Sequence, residues 1–177
     1  LQIAAFAFQV PFGIGQAATI RVGHRAGAGD KAGVGHAGSA AIVLALGFMV
    51  FTASALWLIP RFIISAYVDV HEPANAALIG FAVQFMAIAA FFQLFDGLQT
   101  VTAGALRGLQ DTRMPMAIAV FGYWLPGFGS ALALAFLTPL RGVGVWCGFA
   151  IGLAVVALLL LYRWRRRERL GLVAELP

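Results

Sequence analysis

Asp96 is the residue whose type and setting point most directly to chemistry. Six of the seven acidic residues (Asp30, Asp69, Glu72, Asp111, Glu168 and Glu175) fall in polar segments, whereas Asp96 lies deep inside an apolar run. Arg107, at the end of that run, is 11 residues further on. At 1.5 Å per residue this is roughly 16 Å, close to the half-thickness of a ~30 Å hydrocarbon layer, so a helix here places Asp96 near the midplane. Gln93 and Thr100, at i−3 and i+4, share its face, and Phe92 and Gln99 flank it. No basic residue in the apolar runs is placed to neutralise it. Such a carboxylate faces a cavity, binds a cation or holds a proton. The structural alternative is a neutral aspartic acid hydrogen-bonded to a neighbouring helix.

Two further groups of side chains carry potential chemistry. Gln2, Gln9 and Gln16 recur every seven residues, which keeps them within about 40° on one helical face. Amides aimed at lipid are costly, so this seam faces protein or a watery path. It either hydrogen-bonds between helices or lines a route for a substrate. Tyr123 and Trp124 stand in the run Gly122-Tyr-Trp-Leu-Pro-Gly-Phe-Gly129, where their π faces can receive a ligand cation or simply pack in a core.

Other chemistries lack the residues they need. His24, His36 and His71 are read as loop residues, and no His/Cys/Asp/Glu cluster has the spacing of metal ligands. Gly33-Val-Gly35-His-Ala-Gly38 matches G-x-G-x-x-G in form. It follows a polar loop and precedes an apolar run, so no βαβ unit surrounds it and dinucleotide binding is not expected. No Walker sequence offers an ATP motor. Cys147 is the single cysteine, so no intrachain disulfide can form. No enzyme activity and no bound cofactor are expected.

The elements that must position Asp96 follow from composition. The 177 residues are 62% hydrophobic and 11% charged, with a mean hydropathy of +0.91; a soluble domain carries about 25% charged residues. Five nearly charge-free stretches cover Leu1–Ile20, Ala37–Pro60, Pro73–Leu106, Met114–Leu140 and Gly142–Tyr162. Each is long enough to cross a bilayer as a helix, and none shows the alternation of a barrel strand. The fold class is all-α integral membrane with five transmembrane helices and a tail over 163–177. Pro11 predicts a kink or local loosening in the first span, and Pro126 among glycines predicts a flexible or broken fourth span. Gly144, Gly148 and Gly152 form a small-residue face for close helix contact in the fifth. The glycine-rich stretch 21–38 reads as a loop. Tyr67, Tyr162, Trp57, Trp146 and Trp164 sit near span ends, as interfacial aromatics do.

The net charge is +5 and the pI about 10.4, yet the placement of the charges argues against a nucleic-acid partner. Ten of the twelve basic residues fall in alternate inter-span segments, on one side of the membrane: Arg21, Arg25 and Lys31, then Arg107 and Arg113, then five arginines over 163–169. Arg61 and Arg141 are on the other side. This asymmetry places the C-terminus in the cytoplasm. The tail RWRRRER acts as a topology anchor, and it also has the charge to meet anionic lipid heads. Eleven arginines against one lysine fit a GC-rich bacterial genome, so the expected location is the bacterial inner membrane. The chain starts with Leu and enters a span at once, without the features of a signal peptide. The reading is a segment whose N-terminal portion is missing.

Several runs together resemble the multidrug and toxic compound extrusion (MATE) family. They are Val10-Pro-Phe-Gly13 through Ile20-Arg-Val-Gly23 with Gly27-Ala-Gly-Asp30; Gln93-Leu-Phe-Asp-Gly-Leu-Gln99; Gly104-Ala-Leu-Arg-Gly-Leu-Gln-Asp-Thr112 with Pro115; and Gly122-Tyr-Trp124. The resemblance covers nearly the whole chain. It implies twelve spans in two six-helix lobes, of which this chain supplies spans eight to twelve, most of the C-terminal lobe. It implies export of organic cations in exchange for H+ or Na+, with Asp96 as the tenth-span carboxylate of ion coupling. Many sodium-coupled members carry a tyrosine four residues before that carboxylate, where this chain has Phe92; the coupling ion therefore stays open, with Na+ at Asp96 one of two choices. The family's seventh-span glutamate and N-terminal lobe lie outside this chain, so the segment alone is expected to be inactive. Its implied partners are the lipid bilayer, that missing lobe and cationic substrates. Within the same broad superfamily, a flippase for lipid-linked precursors or polysaccharides is the alternative; a basic cavity would favour it, whereas the only charge inside a span here is acidic. Outside transport, the alternative is a membrane scaffold or a gene remnant.

Overall fold

The computed structural model describes residues 2–70 and 72–173, and among these every regular element is helical. His71 and Glu175, and the side chain of Gln2, lie outside the described residues. In chain order the elements are α1 (Gln2–Gly27), α2 (Lys31–Leu58), the short α3 (Pro60–Ser65), a 3-10 turn (Pro73–Asn75), α4 (Ala76–Gly108), α5 (Arg113–Gly122), a π-helical segment (Tyr123–Phe128), α6 (Gly129–Phe136) and α7 (Arg141–Arg165). Five stretches are long and apolar enough to cross a membrane: Ile3–Gly27, Lys31–Leu58, Pro73–Gly108, Arg113–Phe136 and Arg141–Arg165.

The stretch 21–38 is not a loop. α1 continues to Gly27 and α2 begins at Lys31, so the connection is three residues long, and His24 and His36 lie in helices. The reversal uses Gly29 at φ +69°, a left-handed conformation that costs glycine nothing. Asp30 then caps α2, its Oδ1 accepting from the Gly33 N–H at 2.7 Å, while the Arg25 guanidinium donates to Oδ2 at 2.8 Å. The glycines that made the stretch read as loop are packing positions. Gly23 abuts the Gly108 carbonyl, and a side chain at Gly38 would collide with the indole of Trp164.

Helix contacts are close because small residues meet. α4 is the central element, packed against α1, α2 and α7. Along α1 and α4 a Cβ at Gly104 would strike the Gly15 carbonyl, and one at Gly108 the Thr19 carbonyl. Thr19 Oγ1 donates to the Gly104 carbonyl at 2.9 Å, tying the two backbones together. The expected small-residue face of α7 is real: Gly144 meets Leu134, Gly148 meets Ala131, and Gly152 meets Gly127. α1 stays helical across Pro11, which is buried. In the fourth span, Pro126 has no N–H to give to the ladder, and the helix widens into the π turn Tyr123–Phe128. Ser130 bridges the Gly127 and Gly148 carbonyls just below it.

The apolar core lies between α1, α2, α4 and α7, toward the end where the chain carries most of its arginines. Val22, Val34, Val101, Ala105, Leu106, Val156, Leu160 and Trp164 form it. Trp164 is therefore no interfacial aromatic, because it fills the space that Gly38 leaves. Trp57, Tyr67 and Tyr162 are exposed.

Candidate functional site

α4 presents a polar stripe in an otherwise apolar helix. Helical spacing splits the stripe about Asp96: Gln93 and Thr100 lean toward one side, and Phe92 and Gln99 toward the other. The packing follows that split. On the first side Gly15 of α1 lies against Thr100. On the second, the Phe92 ring meets Trp146 of α7 edge-on at 6.4 Å, and Gln99 meets the Tyr123 hydroxyl. Asp96 thus stands between a wall built by α1 and a wall built by the π segment and α7.

Two clefts open along this face. The larger, of about 710 Å³, holds Asp96 and Gln93 among Phe8, Phe85, Phe92 and Trp146. A smaller one, of about 260 Å³, continues toward the arginine-rich end. It is lined by Gln16, Gln99 and Thr100, with Arg107 at its far end. Phe8 belongs to both and marks their boundary. Asp96 is half-buried, and among the described residues no hydrogen bond or ion pair reaches its carboxylate. Gln93 is only 5% exposed, and neither atom of its amide has a partner. A buried amide left without a partner costs about 1–3 kcal/mol. The large cleft therefore combines one negative charge, one unsatisfied donor and acceptor, and aromatic walls. These are the groups that would receive an organic cation or a small ion: a carboxylate for charge, an amide for direction, and π faces for the cation's apolar body.

Not every residue singled out in the sequence comes to this site. Asp96, Gln93 and Phe92 line the large cleft, and Gln16, Gln99 and Thr100 line the smaller one. Tyr123 joins through Gln99. Gln9 is exposed and outside both clefts. Trp124 is 70% exposed and packs on Phe128 instead. Conversely, Phe8, Phe85, Trp146 and Arg107 contribute without having been marked. Trp146 had the signature of an interfacial aromatic, and nothing in one sequence separates Phe8 and Phe85 from the other phenylalanines. No group of three or more His, Cys, Asp or Glu side chains gathers to hold a metal ion among the described residues.

The sequence and the fold both have counterparts among known proteins. A family profile described as MatE matches residues 1–132. The chain is 49% identical over 171 residues to a probable multidrug resistance protein NorM of Mesorhizobium japonicum, covering 97% of this chain and 37% of that protein. It is 48% identical over 164 residues to the multidrug resistance protein NorM of Burkholderia vietnamiensis, covering 93% of this chain and 36% of that one. A crystal structure of the eukaryotic MATE transporter AtDTX14 superposes with a TM-score of 0.79 at 22% identity, over 96% of this chain and 38% of that chain. That likeness establishes the fold. The chain spans just over a third of the length of these relatives.

Proposed function

We propose that this chain, which belongs to the MatE family, forms the C-terminal part of a secondary transporter that exports organic cations in exchange for H+ or Na+. The observation that carries the reading is the Asp96 carboxylate, unpartnered among the described residues and facing an aromatic-walled cleft beside the unsatisfied Gln93 amide. One carboxylate cannot serve a cationic substrate and a proton or sodium ion together. Occupancy by one lowers affinity for the other, and that reciprocity is what exchange requires. The relatives' names, multidrug resistance proteins, support drug export, while the cationic character of the substrate rests on the negative charge of Asp96 in the cleft. The missing residues of the site would come from the two-thirds of the relatives' length that this chain does not span. The arginine asymmetry supports an inner-membrane orientation with the C-terminus in the cytoplasm. A phosphatase fused at the C-terminus should be inactive and one fused near Asp69 active; the reverse pattern would invert the orientation.

The test of function is made in everted membrane vesicles carrying the longest in-frame form that the gene encodes. Uptake of a fluorescent cationic dye into the vesicle lumen, the direction that export takes in everted membranes, is followed under an imposed H+ or Na+ gradient. Asp96→Asn keeps the size and removes the charge, and should abolish gradient-driven dye movement at matched protein levels. Asp96→Glu keeps the charge on a longer arm and should retain part of it. Full activity in the asparagine variant with loss in the glutamate variant would instead mark Asp96 as a neutral packing residue. Which gradient drives the parent identifies the ion.

A further inference from the structure

The arginines that end α7 look alike in sequence, but the fold sorts them into two sets. Arg163 turns inward and donates through Nε and Nη2 to the Asp111 carboxylate, at 2.5 and 3.1 Å. Arg167 also turns inward, its guanidinium 4.7 Å over the Trp164 ring and within 3.3 Å of Glu168. Arg165, Arg166 and Arg169 turn outward and are exposed, and no ion pair engages them among the described residues. The segment after α7 is held in a defined turn. Leu170 N–H donates to the Arg166 carbonyl, Gly171 at φ +66° reverses the chain, and Val173 returns to the core. The outward set is therefore displayed on a fixed scaffold.

The face of α7 that leads to these arginines has a matching order. Ile151, Leu158 and Tyr162 are exposed and share one stripe, since 11 residues separate the first from the last and 11 turns of 100° return to nearly the same angle. Arg165 and Arg166 extend that stripe by three and four residues. The stripe thus reads apolar for about 16 Å, then aromatic, then basic. This is the succession that lipid presents from chain to glycerol to headgroup. Arg166 lies 4.5 Å over the Tyr162 ring, joining the aromatic to the charge. Leu170, exposed beside them, supplies a further apolar contact.

From this sorting we infer that Arg165, Arg166 and Arg169, with Tyr162 and Leu170, form a binding surface for the headgroup of an anionic phospholipid in the leaflet where α7 ends. Three guanidiniums without an ion pair among the described residues, Arg165 at the end of α7 and Arg166 and Arg169 on the turn after it, match a phosphodiester oxygen cluster in charge and in donor geometry. The apolar stripe below them takes the acyl chains of the same lipid. Arg163 and Arg167, spent on the protein's own partners, are excluded from the surface. The inference requires that α7 crosses the membrane, and stands whether or not the chain transports.

The experiment uses the longest in-frame form, purified in a neutral detergent and titrated with dioleoyl phosphatidylglycerol or dioleoyl phosphatidylcholine, with retained lipid read by native mass spectrometry. Phosphatidylglycerol should be retained in preference to phosphatidylcholine. Each arginine near an anionic surface contributes about 1 kcal/mol, or about fivefold, so Arg166→Gln with Arg169→Gln should weaken retention by roughly tenfold or more. Arg166→Lys with Arg169→Lys should restore most of it. Arg21→Gln with Arg113→Gln removes the same charge from elsewhere at that end of the bundle and should change retention by less than about threefold. Equal losses in the two glutamine variants would overturn the proposal, because net charge rather than this surface would then hold the lipid. Displacement of the lipid by equimolar inorganic phosphate would also overturn it, by showing a free-anion site. If the variants do not stay folded, raising salt on the unaltered protein decides the matter: retention of phosphatidylglycerol that does not fall with ionic strength sinks the idea.

Discussion

The Tyr123 hydroxyl lies 2.5 Å from Nε2 and 2.7 Å from Oε1 of Gln99, pairing the polar face of α4 with the π turn of the fourth span. Gln99 is one turn of helix from Asp96, so the pair joins the charged stripe to the least regular part of the bundle. Tyr123→Phe leaves the Gln99 amide without this partner, and about 1 kcal/mol of stability should go with it. Gln99→Leu alone strands the phenol in the same way. The double variant removes both needs and should lose less than the two single losses added together. Thermal unfolding in detergent measures the cycle, and strict additivity would show that the pair contributes nothing as a pair.

Asp111 and Arg163 are 52 residues apart and form a two-pronged ion pair whose side chains are only 7% and 16% exposed. It fastens the α4–α5 connection to the end of α7. Removing one member leaves the other charge buried, a loss of about 3–5 kcal/mol. Asp111→Asn should therefore lower the melting temperature far more than neutralising the exposed Arg21 does. The deficit should persist at high salt, since a buried pair is screened little. A salt-sensitive or negligible loss would mean that water reaches the pair.

The parts of this architecture that were legible share a local cause. Span number follows from the length of charge-free runs, and the face around Asp96 follows from spacing within one helix. The Gly144, Gly148 and Gly152 stripe is visible for the same reason. What stayed hidden depends on which helices meet. Trp146 and Trp164 occupy similar places near span ends, yet one lines a cleft and the other fills the core opposite Gly38. The stretch 21–38 misleads because glycine signals both loops and close packing, and only the facing helix tells which. The sorting of Arg163 and Arg167 from Arg165, Arg166 and Arg169 depends on the Asp111 carboxylate and the Trp164 ring, neither of which a charge count reveals.

Asp30 carries a pH dependence. The Gly33 N–H is the main cause that holds its carboxyl below the ordinary value of 3.8; Arg25 and His36 add to the effect and desolvation opposes it. A carboxylate whose pKa is lowered by folding stabilises fully above its unfolded pKa, and that share is lost as pH falls through the folded value. Asp30→Ala should therefore lower the melting temperature at pH 7, and the gap to the parent should narrow once the pH drops below about 3.8. Asp30→Asn keeps a neutral acceptor for the cap and should show little pH dependence of its own. A gap that stays constant down to pH 2 would mean that the charge of Asp30 does not contribute.

Gly38 and Trp164 supply the sharpest packing test. A Cβ at Gly38 would overlap the indole edge, and the ring has nowhere to retreat. It is 2% exposed, it belongs to the main core, and Arg167 covers its face at 4.7 Å. Gly38→Ala raises intrinsic helix propensity, which by itself would favour the substitution by about 0.5–1 kcal/mol. Overpacking a closed core costs about 1–3 kcal/mol, so the net effect should be destabilising. Gly47 sits in the same helix with open space around it, and Gly47→Ala should be neutral or stabilising. Trp164→Phe leaves a cavity and should be destabilising alone. Combined with Gly38→Ala, the smaller ring makes room for the methyl group, and the methyl group fills part of the void. The double variant should then be more stable than the sum of the two losses allows, by at least about 0.5 kcal/mol in denaturant titration. A double variant at or below that sum would show that the indole does not occupy the space over Gly38.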